Sequence, residues 1–399
     1  MFPYNLFLII LATFHIVLST DSSNFGIIQY SGVGYDGTFK PISKINEGRD
    51  GGSCGCELRG EDVWFTGENA PFSGSQAVHI RGPLKLFKFA YYTSARYVVG
   101  GNTSYNWIRH AYFDSSANTV SMENVTFLGY VGRDSECLGK SLEYVTPDTL
   151  GQGKVNAPPR SDTTLAPNQE YLIYSNISCP PSGVYGGCGV YRRDGKAFHG
   201  FGGLTKMFLF EFIMPDYRGP EGTDTSLNEP AIWLTSDSLP RVTQNGYSVS
   251  NCSCLLQGCG AVNVFSANDT FLDTSLITLQ GKAISDDSER FVGYTSESHF
   301  SRPRNVTAMG GIIFDSEGNT VIFLSNETVF DPTIDATFVD DLLTGLPSLG
   351  LTMLLKKGNT TAPRVIPRVK SSSTMLHFPK NRLFLFLHIL ICCFFICTW

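Results

Sequence analysis

The chain has 399 residues, 30 Lys and Arg against 36 Asp and Glu, and a formal net charge of −6. Charge of that size spread over this length makes no basic stripe, which excludes a nucleic-acid partner. Forty glycines, twenty prolines and 13% aromatic residues argue for many short strands and tight turns.

Residues 1–20 read as a secretory signal peptide. Leu6 to Leu18 is apolar apart from Thr13 and His15, and the small residues Ser19 and Thr20 precede Asp21. The chain after this segment is long enough for one large β domain or two smaller ones. Residues 21–95 are expected to form an N-terminal β module. Within it, Gly32-Val-Gly-Tyr-Asp-Gly37 matches a dinucleotide fingerprint, but Pro41 arrives within four residues and no helix pattern succeeds it. Gly51-Gly-Ser-Cys-Gly55 matches a nucleophile elbow, yet the polar Glu47-Gly-Arg-Asp50 precedes it where a buried strand is required. Leu84 to Tyr92 partly alternates and predicts a half-buried strand.

A Gly-, Ser- and Thr-rich break near 94–104 predicts a boundary, with the main sandwich over 96–345 and the N-terminal module either folding separately or adding strands to the same core. Met207 to Met214 is nearly all apolar and reads as a central strand closed by Pro215. Gly311–Phe314 and Val321–Leu324, joined by Asp-Ser-Glu-Gly-Asn-Thr, predict a hairpin. One short helix is expected over Ala336 to Thr344, stopped by Gly345. The fold class is therefore all-β, an antiparallel β-sandwich of the jelly-roll, concanavalin-like kind with few short helices.

Residues 346–373 read as a linker. Ser371, Ser372 and Ser373, a polar spacer to Arg382 and the apolar run Leu383 to Trp399 form the pattern of a glycosylphosphatidylinositol signal, with 374–399 removed. The competing reading is a tail-anchored helix, for which the run is at the short limit. Three of the eleven cysteines fall in that tail, leaving Cys54, Cys56, Cys137, Cys179, Cys188, Cys252, Cys254 and Cys259. An even number in an exported chain predicts disulfides, with pairing open. Zinc held by Cys252, Cys254 and Cys259 is the weaker alternative, since exported thiols oxidise; neither metal nor cofactor is expected. N-x-S/T acceptors stand at Asn102, Asn124, Asn176, Asn251, Asn268, Asn305, Asn326 and Asn359.

Glu229-Pro-Ala-Ile-Trp-Leu234, Leu239-Pro-Arg241, Cys252-Ser-Cys254 and Gly258-Cys-Gly260 occur in the order found in one known assembly. So do Asp62 to Pro71, Arg81 to Leu84, Glu170 to Asn176 and Lys206 to Phe212. Together they resemble the yeast target-of-SBF type cell-wall proteins, a family similar to fungal β-1,3-glucanases, from about Gly34 to about Leu343. The resemblance implies a glucan-facing sandwich in which the frame ends in G-C-G-E-x-D-x-x-E. In that motif, residues at i and i+2 share a strand face. A residue at i+5 joins them only across a β-bulge.

In this chain the three acidic positions are held by Ala261, Asn263 and Ser266. Alanine has no polar side-chain atom, asparagine carries no charge, and serine is too weak an acid to protonate a leaving group. The family also tends to carry tryptophan where this chain has Leu255, and histidine where it has Ile277. A retaining glycosidase needs two carboxyl groups about 5–5.5 Å apart, so the resemblance implies a wall protein that is structural or glucan-binding and not catalytic. Trp233, Tyr247 and Phe265 are the candidate sugar contacts, with core packing the competing role for Trp233. The alternatives are an active glucanase or transglycosylase using other acids, such as Glu211, Asp216, Glu221 or Glu229, and a module for chitin or a neighbouring surface protein. The expected setting is the cell wall and the outer face of the plasma membrane, lipid-anchored, with wall β-glucan as partner.

Overall fold

In the computed structural model the described residues are 25–354, except 49–53, 59, 117–119, 136–137, 168, 181–187, 193, 218–227, 239–251, 253–257 and 281–292. The signal and anchor segments, Ser371 to Ser373, Tyr247, Glu221, Leu255, Cys137, Cys254, Asn251 and Asn359 lie outside them.

Strands are numbered in chain order. One sheet runs β21 (Thr333–Ile334), β8 (Trp107–Asp114), β7 (Lys85–Thr93), β13 (Lys206–Ile213), β19 (Ala308–Phe314), β20 (Asn319–Leu324), β1 (Gly26–Ser31) and β22 (Ser348–Met353). The short β9 (Ser121–Glu123) flanks β8. The second sheet runs β11 (Leu142–Tyr144), β10 (Val125–Tyr130), β12 (Glu170–Ser175), β6 (Gln76–Arg81), β14 (Ala231–Ser236), β15 (Ala261–Ala267), β16 (Phe271–Ile277) and β17 (Gly293–Thr295). Here β18 (Phe300–Ser301) flanks β16. Among the described residues every ladder is antiparallel except β1 with β22.

The near-continuous apolar run of β13 has a simple cause: both faces of the first sheet are covered. Phe208, Phe210 and Phe212 point to the second sheet, where they meet the core that includes Ile80, Phe127, Ile232 and Phe265. Met207 and Leu209 point the other way, under Val339, Leu342 and Leu343 of helix α1 (Ala336–Gly345). The expected hairpin is β19–β20, and the expected helix ends one residue later than its sequence pattern suggested.

Across the break near 94–104 the chain stays within one sheet, because β7 and β8 on either side of it are neighbours, which is the shared-core alternative. Segment 21–95 supplies β1, β6 and β7 to both layers of the sandwich. Only the stretch between β1 and β6 is accessory, forming the two-stranded pairs β2 (Gly37–Phe39) with β5 (Val63–Phe65) and β3 (Ile42–Glu47) with β4 (Cys54–Leu58). Segment 346–373 does not begin as a linker: β22 lies within it and pairs along β1.

All six described cysteines are disulfide-bonded. Cys179 joins Cys188, and Cys56 joins Cys252, tying the accessory strand β4 to the segment before β15. Cys179, Cys188 and His199 are grouped closely enough for a metal, but their two sulfurs are joined to each other.

Candidate functional site

Strand β15 decides which residues reach the surface of the second sheet. Val262, Val264, Phe265 and Ala267 belong to the core between the sheets. Two consecutive residues, Val264 and Phe265, both turn inward because the β15–β16 register shifts between Asn263 and Ser266. Strict alternation would have sent Ser266 inward; the bulge restores it to the outer face. Ala261, Asn263 and Ser266 therefore share one face, which is the parity that the i, i+2, i+5 spacing demands.

Cross-strand registers extend that face into rows. Ser266 lies in a row with Ala231, Arg81 and Glu170 on one side and Asp273 on the other. Asn263 lies in a second row with Trp233, His79 and Leu172 on one side and Ser275 on the other. Ala261 lies in a third, between Thr235 and Ile277. Trp233 thus stands at the middle of the sheet, half-buried, between an imidazole and an amide.

Several of the polar groups are already engaged, while Asn263 Oδ1 has no hydrogen-bond partner. Asn263 Nδ2 donates to Ser275 Oγ at 2.8 Å. His79 is held at both nitrogens: Nδ1 meets the Glu170 carboxylate, and Nε2 is 2.7 Å from the Thr235 hydroxyl. Since a carboxylate only accepts, Nδ1 carries the proton. Asp273 Oδ2 accepts from Asn268 Nδ2 at 3.2 Å. Glu170 is therefore spent on orienting an imidazole, and its side chain is only 5% exposed.

The glycine frame before β15 has its own structural explanation. Gly260 has φ +81°, and a Cβ there would stand 2.7 Å from Pro71 Cγ and 3.0 Å from Phe72 Cε1. Gly258 has φ +101° and lies close to the Tyr35 hydroxyl. Only glycine combines that backbone with that proximity. The frame shapes the entry to β15 whether or not carboxylates come after it.

Among the sequence candidates, Trp233 is on the face. Phe265 is not. It is 0% exposed, with its ring 5.5 Å from Phe212 and 5.9 Å from Phe300, which leaves no surface for a sugar. The error came from the bulge, which turns Phe265 to the core side. Of the alternative acids, Glu221 lies outside the described residues. Glu211 is in the first sheet, paired with Lys88 at 2.8 Å, and Asp216 pairs with Arg304 at 3.1 Å. Glu229 borders a surface hollow with Asn268, Asp269, Thr270 and Phe271. Among the acceptor asparagines, Asn102, Asn124, Asn176, Asn305 and Asn326 are exposed and Asn268 is half-buried.

With this face in view, the family comparison is decisive. Residues 105–342 match the family described as cell wall protein YJL171C/Tos1, C-terminal, and residues 27–94 match its N-terminal counterpart. The chain belongs to the YJL171C/Tos1 cell-wall protein family. Within this Tos1 family, a relative from Saccharomyces cerevisiae named probable circularly permuted 1,3-beta-glucanase YJL171C is 39% identical over 339 residues, 84% of this chain and 83% of its own. Probable circularly permuted 1,3-beta-glucanase PGA52 of Candida albicans is 41% identical over 315 residues, 78% of this chain and 80% of its own. Probable circularly permuted 1,3-beta-glucanase TOS1 of Saccharomyces cerevisiae is 33% identical over 244 residues, covering 61% and 50% respectively. No solved structure matches.

Sequence reasoning missed His79, Arg81 and Glu170, which come from distant strands, and with them Thr235 and Asp273. Alternation within β6 and β12 reveals which of their residues share a side. It does not reveal that β6 and β12 are neighbours, or that β14 connects them to β15.

Proposed function

We propose that this Tos1-family protein is a noncatalytic cell-wall glycoprotein that holds β-1,3-glucan on the outer face of its second sheet. The observation that carries this reading is the bulged strand β15. Its three outer-face positions are in the arrangement the glycosidase spacing requires, and they hold Ala261, Asn263 and Ser266. Double displacement needs one carboxyl group to attack and a second to protonate the leaving oxygen. On the described face, Glu170 is bound to His79 and Asp273 faces Ser266 from the neighbouring strand.

Trp233 supplies the apolar surface on which a sugar ring packs, and the flanking amide and hydroxyl groups suit sugar hydroxyls. The family name supports a cell-wall setting, and the names of the relatives support glucan as the polymer. Export, glycosylation and a lipid anchor at Ser371, Ser372 or Ser373 belong to the same proposal and rest on the sequence patterns at the two ends.

Secreted protein incubated with laminarin-type β-1,3-glucan is expected to release no reducing ends and to make no longer oligomers. Either product would overturn the noncatalytic reading. In glucan pull-down, Trp233→Ala is expected to lose retention, and unchanged retention would remove Trp233 as the platform.

A further inference from the structure

The third row of the outer face differs from the other two. Ala261 is 1% exposed and packs with Phe39, Cys259, Phe65 and Ile277 in a cluster separate from the main core. Phe39 and Phe65 come from the accessory pair β2–β5, with ring centroids 6.4 Å apart. Trp64, between Val63 and Phe65, points away and is 81% exposed. The accessory pair therefore turns two phenylalanines onto the sheet where the family motif places its first carboxylate.

It is also fastened there. Tyr35 packs its ring edge-on to Phe65 at 5.0 Å and hydrogen-bonds to Thr278, just beyond β16. Gly37 leaves room for the Phe65 ring, since a Cβ there would meet Phe65 Cζ at 2.6 Å. On the adjoining pair, Cys56 is bonded to Cys252, and Glu47 is held by Arg192 and Arg133. A lid that opened for substrate would not be clamped by a disulfide and a shielded ion pair.

We propose that the Ala261 row is the permanent seat of the β2–β5 pair and not a sugar subsite. Glucan is confined to the other two rows, the one with Trp233 and Asn263 and the one with Arg81, Ser266 and Asp273. This rests on the glucan-binding function for its ligand, but the seat itself rests on packing. A carboxylate at position 261 would put a charge among two phenylalanines and an isoleucine. Loss of the first acid and docking of the pair are then one structural feature.

Hydrogen exchange on the secreted protein tests this. Ala261→Glu is expected to raise exchange over 37–39 and 63–65 about tenfold or more, as docking is lost. Asn263→Asp, a charge on the same strand outside the seat, is expected to leave those segments unchanged. Full protection of the pair in Ala261→Glu, or equal loss in Asn263→Asp, would overturn the seat. If Ala261→Glu does not fold, Phe39→Ser approaches from the other side and is expected to raise exchange at 261–262; no change there overturns the proposal.

Added laminarin oligomers are expected to protect 263–266 and to leave 37–39 and 63–65 as they were. Protection of the pair by sugar would show that the third row takes ligand. Absence of glucan retention by the unaltered protein counts against the glucan-binding function, and the exchange results then decide the seat by themselves.

Discussion

Arg192 Nε stands 2.9 Å from Glu47 Oε1 and joins accessory strand β3 to the segment that precedes β13. The same guanidinium donates to the Gly139 carbonyl at 2.6 Å and to that of Arg133 at 3.2 Å. With side-chain exposures of 1% and 10%, the pair is shielded from solvent. Removing Arg192 leaves Glu47 with Arg133 as its remaining cation, so the loss is expected to stay below the about 3–5 kcal/mol of a buried charge that loses its whole pairing. Arg192→Ala is expected to lower the denaturation midpoint. A shift no larger than that of the exposed Lys44→Ala would show that the pair contributes little.

The buried Lys206 predicts how stability varies with pH. Its ammonium donates to the carbonyls of Gly74 and Phe201, between the rings of Phe208 and Phe314. Burial lowers its pKa to about 7, with Asp237 opposing that shift. An unfolded lysine titrates near 10.4, so between the two values the unfolded chain binds more protons. Stability therefore rises with pH across that window. Urea midpoints should increase from pH 7 to pH 9, and Lys206→Met should remove that slope while losing two hydrogen bonds. A slope that survives the substitution assigns the effect to another group. Above pH 10 the buried tyrosines oppose it, Tyr30 being raised to about 12 by burial.

Two glycines should respond unequally to one added methyl group. Gly260→Ala forces a left-handed backbone and a contact at 2.7 Å with Pro71. Strain and crowding of this kind cost roughly 1–3 kcal/mol each. Gly60→Ala meets nothing within 4 Å and should be nearly neutral. Parallel thermal melts of the two variants check the contrast, and equal melting temperatures would contradict it.

The two described disulfides close loops of very different length, 196 residues for Cys56–Cys252 and 9 for Cys179–Cys188. Taken singly, on a chain with no other crosslink, chain entropy assigns them about 5 and about 3 kcal/mol respectively. The paired serine substitution at 56 and 252 is expected to cost more stability and to make 37–65 sensitive to protease. The pair at 179 and 188 should leave that segment resistant. Equal proteolysis of both variants would separate the disulfide from the docking of the accessory strands.

Local pattern made much of this molecule legible. The apolar run of β13, the β19–β20 hairpin and α1 are set by periodicity and turn residues alone. The outer-face grouping of Ala261, Asn263 and Ser266 was legible because the spacing has only one solution on a strand. Phe265 was misassigned because a bulge turns two neighbours the same way, and the sequence Asn-Val-Phe-Ser does not say which one breaks the alternation. The break near residue 95 leaves two arrangements open for a different reason. A Gly- and Ser-rich loop marks a turn in the chain, and only long-range pairing says whether the strands on either side share a sheet. His79 and Glu170 illustrate the same limit, being 91 residues apart and in contact.

The parallel pairing of β22 with β1 has a mechanical meaning. Leu354 N donates to the Ser31 carbonyl at 2.8 Å, so the last described residue is knitted to the first described strand. Any pull transmitted along the chain beyond Leu354 enters the fold through β22 and passes first into β1. From there it spreads through β20 and β19 across the first sheet, not into β15 or its neighbours. The sheet that takes the load and the face that carries Trp233 are thus on separate layers, and tension on one need not disturb the shape of the other.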